Sequence, residues 1–443
     1  MATTAPQKPA TVVALAAGPQ RKRSKTEADA GGDASPTFTA RASKAPPTTH
    51  SINPAIPFLT QEFVDKVIVA VASLKERGYA VIPGILDDAE CDTMWDMMWD
   101  FIGRTSNGRV DRADPTTWRH EWPVALHWIL KNYNVGQSQP TWYARGSLAV
   151  IAVFALIYGT DKLFCSYDGF AMIPDVKQMD SHADGEDASL RENNWMHFDQ
   201  TPYLADMLLC LQAWVTCREV NEGAPTLKVL PESHKRLGEF VAKGYAPKTK
   251  ADGPDTTHWY KPSSEDTAAV FGDDWESNLV RVECPKGSMV LWDSRTMHQG
   301  GVPIAGYEGA QKDRGIVYVC YAPASQCEAA GRGAVRRKEL AADDRTTAHW
   351  PQFLKPNGKN PRTYGQEMPP TTDLTGEREA LIAKYPEHED RIRMLAGEKA
   401  FENGKGLLGW TGDRAPLMDI KDPVKAISDF RAKQRSRKRK SDE

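Results

Sequence analysis

Three histidines in this sequence are followed two residues later by an aspartate: His182-Ala-Asp184, His197-Phe-Asp199 and His388-Glu-Asp390. On a β-strand, residues i and i+2 project from one face, so such a pair can aim an imidazole and a carboxylate at the same point. A second imidazole from a distant strand would complete a two-histidine, one-carboxylate set. That set holds a mononuclear non-haem iron by one face and leaves positions open for oxygen and a co-substrate. The three copies differ in context. His388 stands in the charged run YPEHEDRIR, which reads as an exposed helix, where i and i+2 do not face each other. His182 stands in the acidic stretch DSHADGED, which reads as a mobile loop. His197 follows Trp195-Met196, precedes a Pro-Tyr turn and reads as an ordered strand end, which ranks it first.

His298 is the best candidate for the distal ligand, because it follows the apolar strand pattern 287–292 and precedes Gly300-Gly301, read as a tight turn. Arg314 opens a further strand, 315–321, with Ile316, Tyr318 and Cys320 on its face. A guanidinium on a core face is costly unless it meets an anion, and its planar fork suits a carboxylate.

These residues need a frame. A helix is expected from Phe63, Val67, Ala70, Val71 and Leu74, ended by Gly78, then a short strand 79–82, then a second helix opened by an Asp87/Glu90 capping arrangement. The apolar run 148–158 reads as a buried helix or strand, since periodicity does not separate the two. From residue 164 the chain turns to short β runs, 164–173, 207–217, 227–230, 279–284, 288–292 and 315–321, interrupted by a long polar excursion, 244–278. Many short strands with helices on the N-terminal side predict a closed or double-sheet β architecture.

Charge and cysteine content narrow the class. The net charge is −3, but residues 1–55 carry +4 and residues 431–443 carry +5, so the interior is acidic. Both ends hold basic clusters, 21–23 and 435–440, which read as disordered tails fit for import receptors or phosphate backbones. The acidic body argues against a folded domain that grips nucleic acid. No apolar run reaches the roughly 18–20 residues a membrane span needs, and no secretory leader pattern opens the chain. The seven cysteines form no Cys-x-x-Cys and fit a reducing compartment, nuclear or cytoplasmic.

The stretches GYAVIPGILDDAECDTM (78–94), DGFAMIP (168–174), NWMHFDQTP (194–202), APTLKVLPESHK (224–235), KGSMVLWDSRTMHQGG (286–301) and DRGIVYVCYAPAS (313–325) together resemble the phytanoyl-CoA dioxygenase-like family of iron(II)/2-oxoglutarate oxygenases. The resemblance implies a mainly β fold with flanking helices around a double-stranded β-helix (jelly-roll or cupin-like) core. It selects His197 and Asp199 among the three pairs. It also implies that His197, Asp199 and His298 bind Fe(2+), and that Arg314 holds the distal carboxylate of 2-oxoglutarate. With O2 as the other co-substrate, an organic substrate would be hydroxylated with release of succinate and CO2. Halogenating relatives put a small residue in place of this carboxylate, so Asp199 implies hydroxylation.

Two positions depart from the pattern. Gly300 replaces a hydroxyl two residues after the distal histidine, a role Tyr318 could take over, and Gly223-Ala224-Pro225 replaces a Gly-Gly pair. His234 fits a structural loop rather than a ligand. Residues 331–430 resemble an extension of some members, packed on the 56–330 core, with Trp350 and Tyr364 as aromatics that pack or border the site. The substrate expected is a small molecule or acyl derivative. The alternatives are the same chemistry on a nuclear macromolecule, a non-catalytic β-helix scaffold in the nucleus, and a nucleic-acid binder acting through its tails.

Overall fold

Phe63, Val64, Val67, Ala70, Val71 and Leu74 line one buried face of the helix Gln61–Arg77. Thr60 caps its start, and Gly78, at a φ of 86° that favours glycine, ends it. The helix Asp88–Thr105 opens with the expected reciprocal capping box between Asp87 and Glu90. The computed structural model describes residues 58–123, 128–175, 194–246, 259–304, 307–311, 313–358, 374–410 and 412–442. The His182/Asp184 pair, the 1–55 tail and Tyr364 lie outside these residues.

Among the described residues eleven strands follow in chain order: β1 Tyr79–Ile82, β2 Ile129–Leu130, β3 Leu163–Cys165, β4 Phe170–Ile173, β5 Leu211–Thr216, β6 Thr226–Val229, β7 Val280–Arg281, β8 Met289–Asp293, β9 His298–Gly301, β10 Arg314–Val319 and β11 Tyr321–Pro323. The larger sheet runs β1-β8-β5-β10-β4-β2, a smaller one β7-β6-β9, and β11 pairs with β3. Every pairing is antiparallel.

Strand alternation divides the larger sheet into two apolar layers. Leu211, Ala213, Val215, Met289, Leu291, Val317 and Val319 join the cluster formed with the helices. Trp214, Val290, Trp292 and Ile316 point the other way and pack with Leu227, Val229 and Val282 of the smaller-sheet side. The site is built in this second layer, so the inward residues of β5 and β10 are the ones that meet it.

The architecture is mixed rather than mainly β, with 41% helix and 15% strand. Helices pack against the outer face of the larger sheet, and several expected β runs shrink to short strands. The ambiguous run Leu148–Tyr158 is a helix with Val150–Ile157 buried on every side, which is why no periodicity marked it. The expected strand 164–173 splits in two around Gly169, where an added Cβ would lie 1.9 Å from the Leu130 carbonyl oxygen. Gly300 and Gly301 are not a turn but part of β9, paired with Leu227 and Thr226.

The basic C-terminal run, expected to be disordered, belongs to the helix Pro423–Asp442. Ala426, Ile427 and Phe430 dock its first turns against Trp350 and Phe353, and the Ala, Lys, Arg and Gln that follow are good helix formers. Among the described residues no single helix is long and apolar enough to cross a membrane. Gln139–Gly146 and Leu148–Tyr158 are bent by 53° and buried in the core. All seven cysteines are free and buried.

Candidate metal centre

His197 and His298 come from segments about a hundred residues apart, and one antiparallel bridge joins them. The His197 N–H donates to the His298 carbonyl at 3.0 Å, and the return bond measures 2.9 Å. That pairing puts their ring centroids 4.4 Å apart. Asp199, two residues on, has its N–H held by the Ser294 carbonyl at 3.1 Å. Its two carboxylate oxygens lie 3.5 Å from His197 Nε2 and 3.4 Å from His298 Nε2. One ligand atom from each of the three residues falls within a 4.8 Å span, and all three side chains are buried.

The tautomers follow from the partners. His197 Nδ1 faces the Trp195 carbonyl at 3.1 Å and His298 Nδ1 the Thr296 carbonyl at 2.8 Å. A carbonyl only accepts, so both Nδ1 atoms carry the proton and both Nε2 lone pairs point into the site. Metal-binding histidines usually have the other ring nitrogen held by a carbonyl or carboxylate in this way. Gln212 Nε2 donates to Asp199 Oδ2 at 2.7 Å and fixes the carboxylate.

Burial and the neighbouring His298 push the His197 imidazole down to about 3, although Asp199 opposes them. Burial alone would raise the Asp199 carboxyl, but His349, His197 and His298 hold it well below the usual carboxylate range. Neutral imidazoles and an ionised carboxylate are the protonation states a divalent cation requires.

The donor set opens onto a cavity of about 630 Å³. Arg314 and Tyr318, on the inward face of β10, line it, as do Trp195, Trp259, Trp350 and His349. Arg314 is 3% exposed, and its Nε has no hydrogen-bond partner among the described residues. A buried, unmatched guanidinium is the feature expected of a carboxylate-binding position. A Cβ on Gly300 would lie only 3.8 Å from Arg314 Nη1 and 3.5 Å from the Trp195 ring. A bulkier residue there would intrude on the space beside the guanidinium. Burial pushes the Tyr318 phenol up to about 12, with Arg314 opposing, so it stays neutral.

The sequence-selected residues His197, Asp199, His298, Arg314 and Tyr318 therefore meet at one cavity. His388 does not: it stacks on Tyr143 at 5.3 Å, far from being a solvated helix residue. His234 is buried with Nε2 against the Lys75 carbonyl at 3.2 Å, a structural role. Trp350 lines the cavity and also packs against the C-terminal helix. Gln212 was not singled out from the sequence, although a glutamine inside the mostly apolar run 207–217 was an available signal. Nor were Lys131 and His349, which sit in irregular segments without periodicity.

Two imidazoles and one carboxylate, converging from two chain segments beside an open cavity, make the donor set of a mononuclear non-haem metal protein. The model of the phytanoyl-CoA dioxygenase family matches residues 185–302 of the chain. The match contains all three donors. A relative from Aspergillus versicolor, Ava biosynthesis cluster protein O, is 26% identical over 215 residues, which are 48% of this chain and 64% of that protein. The chain thus spans under two thirds of that relative.

Three solved structures are also similar. The product of GlcNAc Inducible Gene 2 from Candida albicans has 13% identity and a TM-score of 0.44, over 85% of this chain and 88% of that one. The epimerase SnoN, solved with Fe3+, alpha ketoglutarate and nogalamycin RO, has 15% identity and a TM-score of 0.35, over 59% and 84%. EctD from S. alaskensis, in its apoform, has 14% identity and a TM-score of 0.34, over 58% and 76%.

Proposed function

We propose that the protein is an iron(II)- and 2-oxoglutarate-dependent oxygenase that hydroxylates a small organic molecule. His197 Nε2, His298 Nε2 and an Asp199 oxygen would hold the metal, and Arg314 the distal carboxylate of the oxoacid. The observation that carries this reading is the pairing of a three-donor face with a buried, unmatched guanidinium on one cavity wall. When bound, the metal and oxoacid supply the oxidising power that no protein side chain has.

The chain's own residues do the rest. The carbonyls of Trp195 and Thr296 keep the imidazole lone pairs aimed at the metal. Gln212 keeps Asp199 from swinging. Trp195, stacked on His197 at 4.9 Å, shields the ligand from water, and Tyr318 offers a neutral hydroxyl beside Arg314. We also read the two packed antiparallel sheets as a double-stranded β-helix. Retention of the Asp199 carboxylate favours hydroxylation over halogenation, because no ligand position is vacated for a halide. The biosynthesis-cluster name of the Aspergillus relative supports a small-molecule substrate.

Succinate formation from 2-oxoglutarate, followed with and without iron(II) and under nitrogen, tests the activity. Formation should require iron and oxygen together and vanish in His298→Ala. Succinate that persists without iron, or in that variant, would overturn the proposal.

A further inference from the structure

Residues 346–357 form a wall of the cavity and are tied down at both ends. The Thr347 N–H donates to the Tyr167 carbonyl at 2.7 Å, Ala348 to Lys355 at 2.9 Å, and Asn357 to Thr346 at 2.8 Å. Arg337 Nη2 holds the Pro351 carbonyl at 2.8 Å, and Arg332 Nε the Phe353 carbonyl at 3.0 Å. The C-terminal helix backs the same wall through Ile427 and Phe430.

From this fixed wall His349 lines the cavity with a buried Nε2 that has no hydrogen-bond partner among the described residues. Lys131 lines the same cavity. Among the described residues no carboxylate pairs with Lys131 or Lys355, which also lines the cavity. Lys261 adds a third amine at the rim, its Nζ 3.4 Å from the Asn194 carbonyl.

The lining charge is unbalanced. Among the described residues Lys131, Lys261, Lys355 and Arg314 face Asp168 and Asp199, and one Asp168 oxygen is already engaged by the Gly169 N–H at 2.8 Å. A divalent metal and a 2-oxoglutarate dianion cancel each other, so the loaded site keeps its cationic excess, next to the orphaned His349 Nε2. Low-dielectric walls focus such a field on an incoming anion. Trp259, 52% exposed and 5.9 Å from the His197 ring, offers an open aromatic face at the same mouth.

We propose, resting on the oxygenase reading above, that this wall recognises the substrate and that the substrate is a flat apolar molecule bearing an anionic group. The anion binds between Lys131, Lys355 and His349 Nε2, and the flat body lies along Trp259.

The dye 8-anilinonaphthalene-1-sulfonate and its neutral counterpart N-phenyl-1-naphthylamine differ only in the sulfonate, which makes them matched probes. Their fluorescence titrations would use protein loaded with iron(II) and 2-oxoglutarate under nitrogen, and metal-free protein in parallel. The sulfonate should bind about tenfold more tightly, although the neutral dye is the more apolar. Lys131→Met and His349→Ala should each weaken the sulfonate about fivefold and leave the neutral dye unchanged, while Trp259→Ala weakens both. Equal affinity for the two dyes, or a sulfonate affinity that none of the variants changes, overturns the inference. Lys131→Met keeps the test open should His349→Ala fail to fold. Absence of iron and oxoacid binding overturns the oxygenase reading instead, and the dye comparison on metal-free protein still decides this one.

Discussion

Gln212→Leu should separate metal binding from folding. Gln212 is 3% exposed and gives the bond from Nε2 to Asp199 Oδ2, 2.7 Å long. Its own Oε1 is buried without a partner. A hydrogen bond to a charged group contributes about 1.5–3 kcal/mol, and an unsatisfied buried acceptor costs about 1–3 kcal/mol. Replacing the amide by leucine removes both. The two terms offset each other in the metal-free fold, so thermal stability should stay within about 1 kcal/mol of the parent.

Metal affinity has no such offset, because Asp199 is freed to turn away from the two Nε2 atoms. Loss of an outer-shell partner of this kind typically costs about 10–100-fold in affinity, or about 1.4–2.7 kcal/mol. Calorimetric titration of cobalt(II) under nitrogen, beside thermal unfolding of the metal-free protein, reads both quantities. Unchanged cobalt affinity would refute the positioning role. A fall in metal affinity matched by an equal fall in metal-free stability would refute the separation.

Other outcomes follow from the same geometry. Arg314→Met should raise the 2-oxoglutarate concentration needed for half-maximal binding by about 100-fold or more, since a charge-assisted bidentate partner is lost, and leave the cobalt affinity of the metal-only protein unchanged. Phe154→Ala, which empties a buried site packed 4.8 Å from Tyr321, should destabilise the fold by about 3–5 kcal/mol in denaturant titration. His388 is pushed down to about 4, mainly by burial. Between about pH 6.5 and pH 4 the unfolded chain takes up a proton that the folded chain refuses, so stability falls as pH falls through that window. His388→Phe should flatten that slope, read from denaturant midpoints at pH 5 and pH 7.

The chemistry was more legible in the sequence than the architecture. His197, Asp199 and His298 stood out because a metal site would restrict residue type and, on extended backbone, spacing, and the family resemblance chose among the three His-x-Asp pairs. Arg314 could be found because a guanidinium in an apolar strand demands an anion. The mixed character of the fold was hidden in elements such as 148–158, where burial on every side erases the period that separates helix from strand. The basic end was misjudged because composition alone does not reveal that Ile427 and Phe430 anchor a helix the later residues extend. His349 and Lys131 were not legible at all: their meaning lies in what tertiary folding brings around them.

The most direct test of the central claim is the visible spectrum of the purified protein titrated anaerobically with iron(II) and then 2-oxoglutarate. A weak metal-to-ligand band from chelation by the oxoacid is expected, absent in His197→Ala and diminished in Arg314→Met. Iron bound without that band would mean a metal site that does not take this co-substrate, and no iron bound at all would contradict the assignment of His197, Asp199 and His298 as a metal centre.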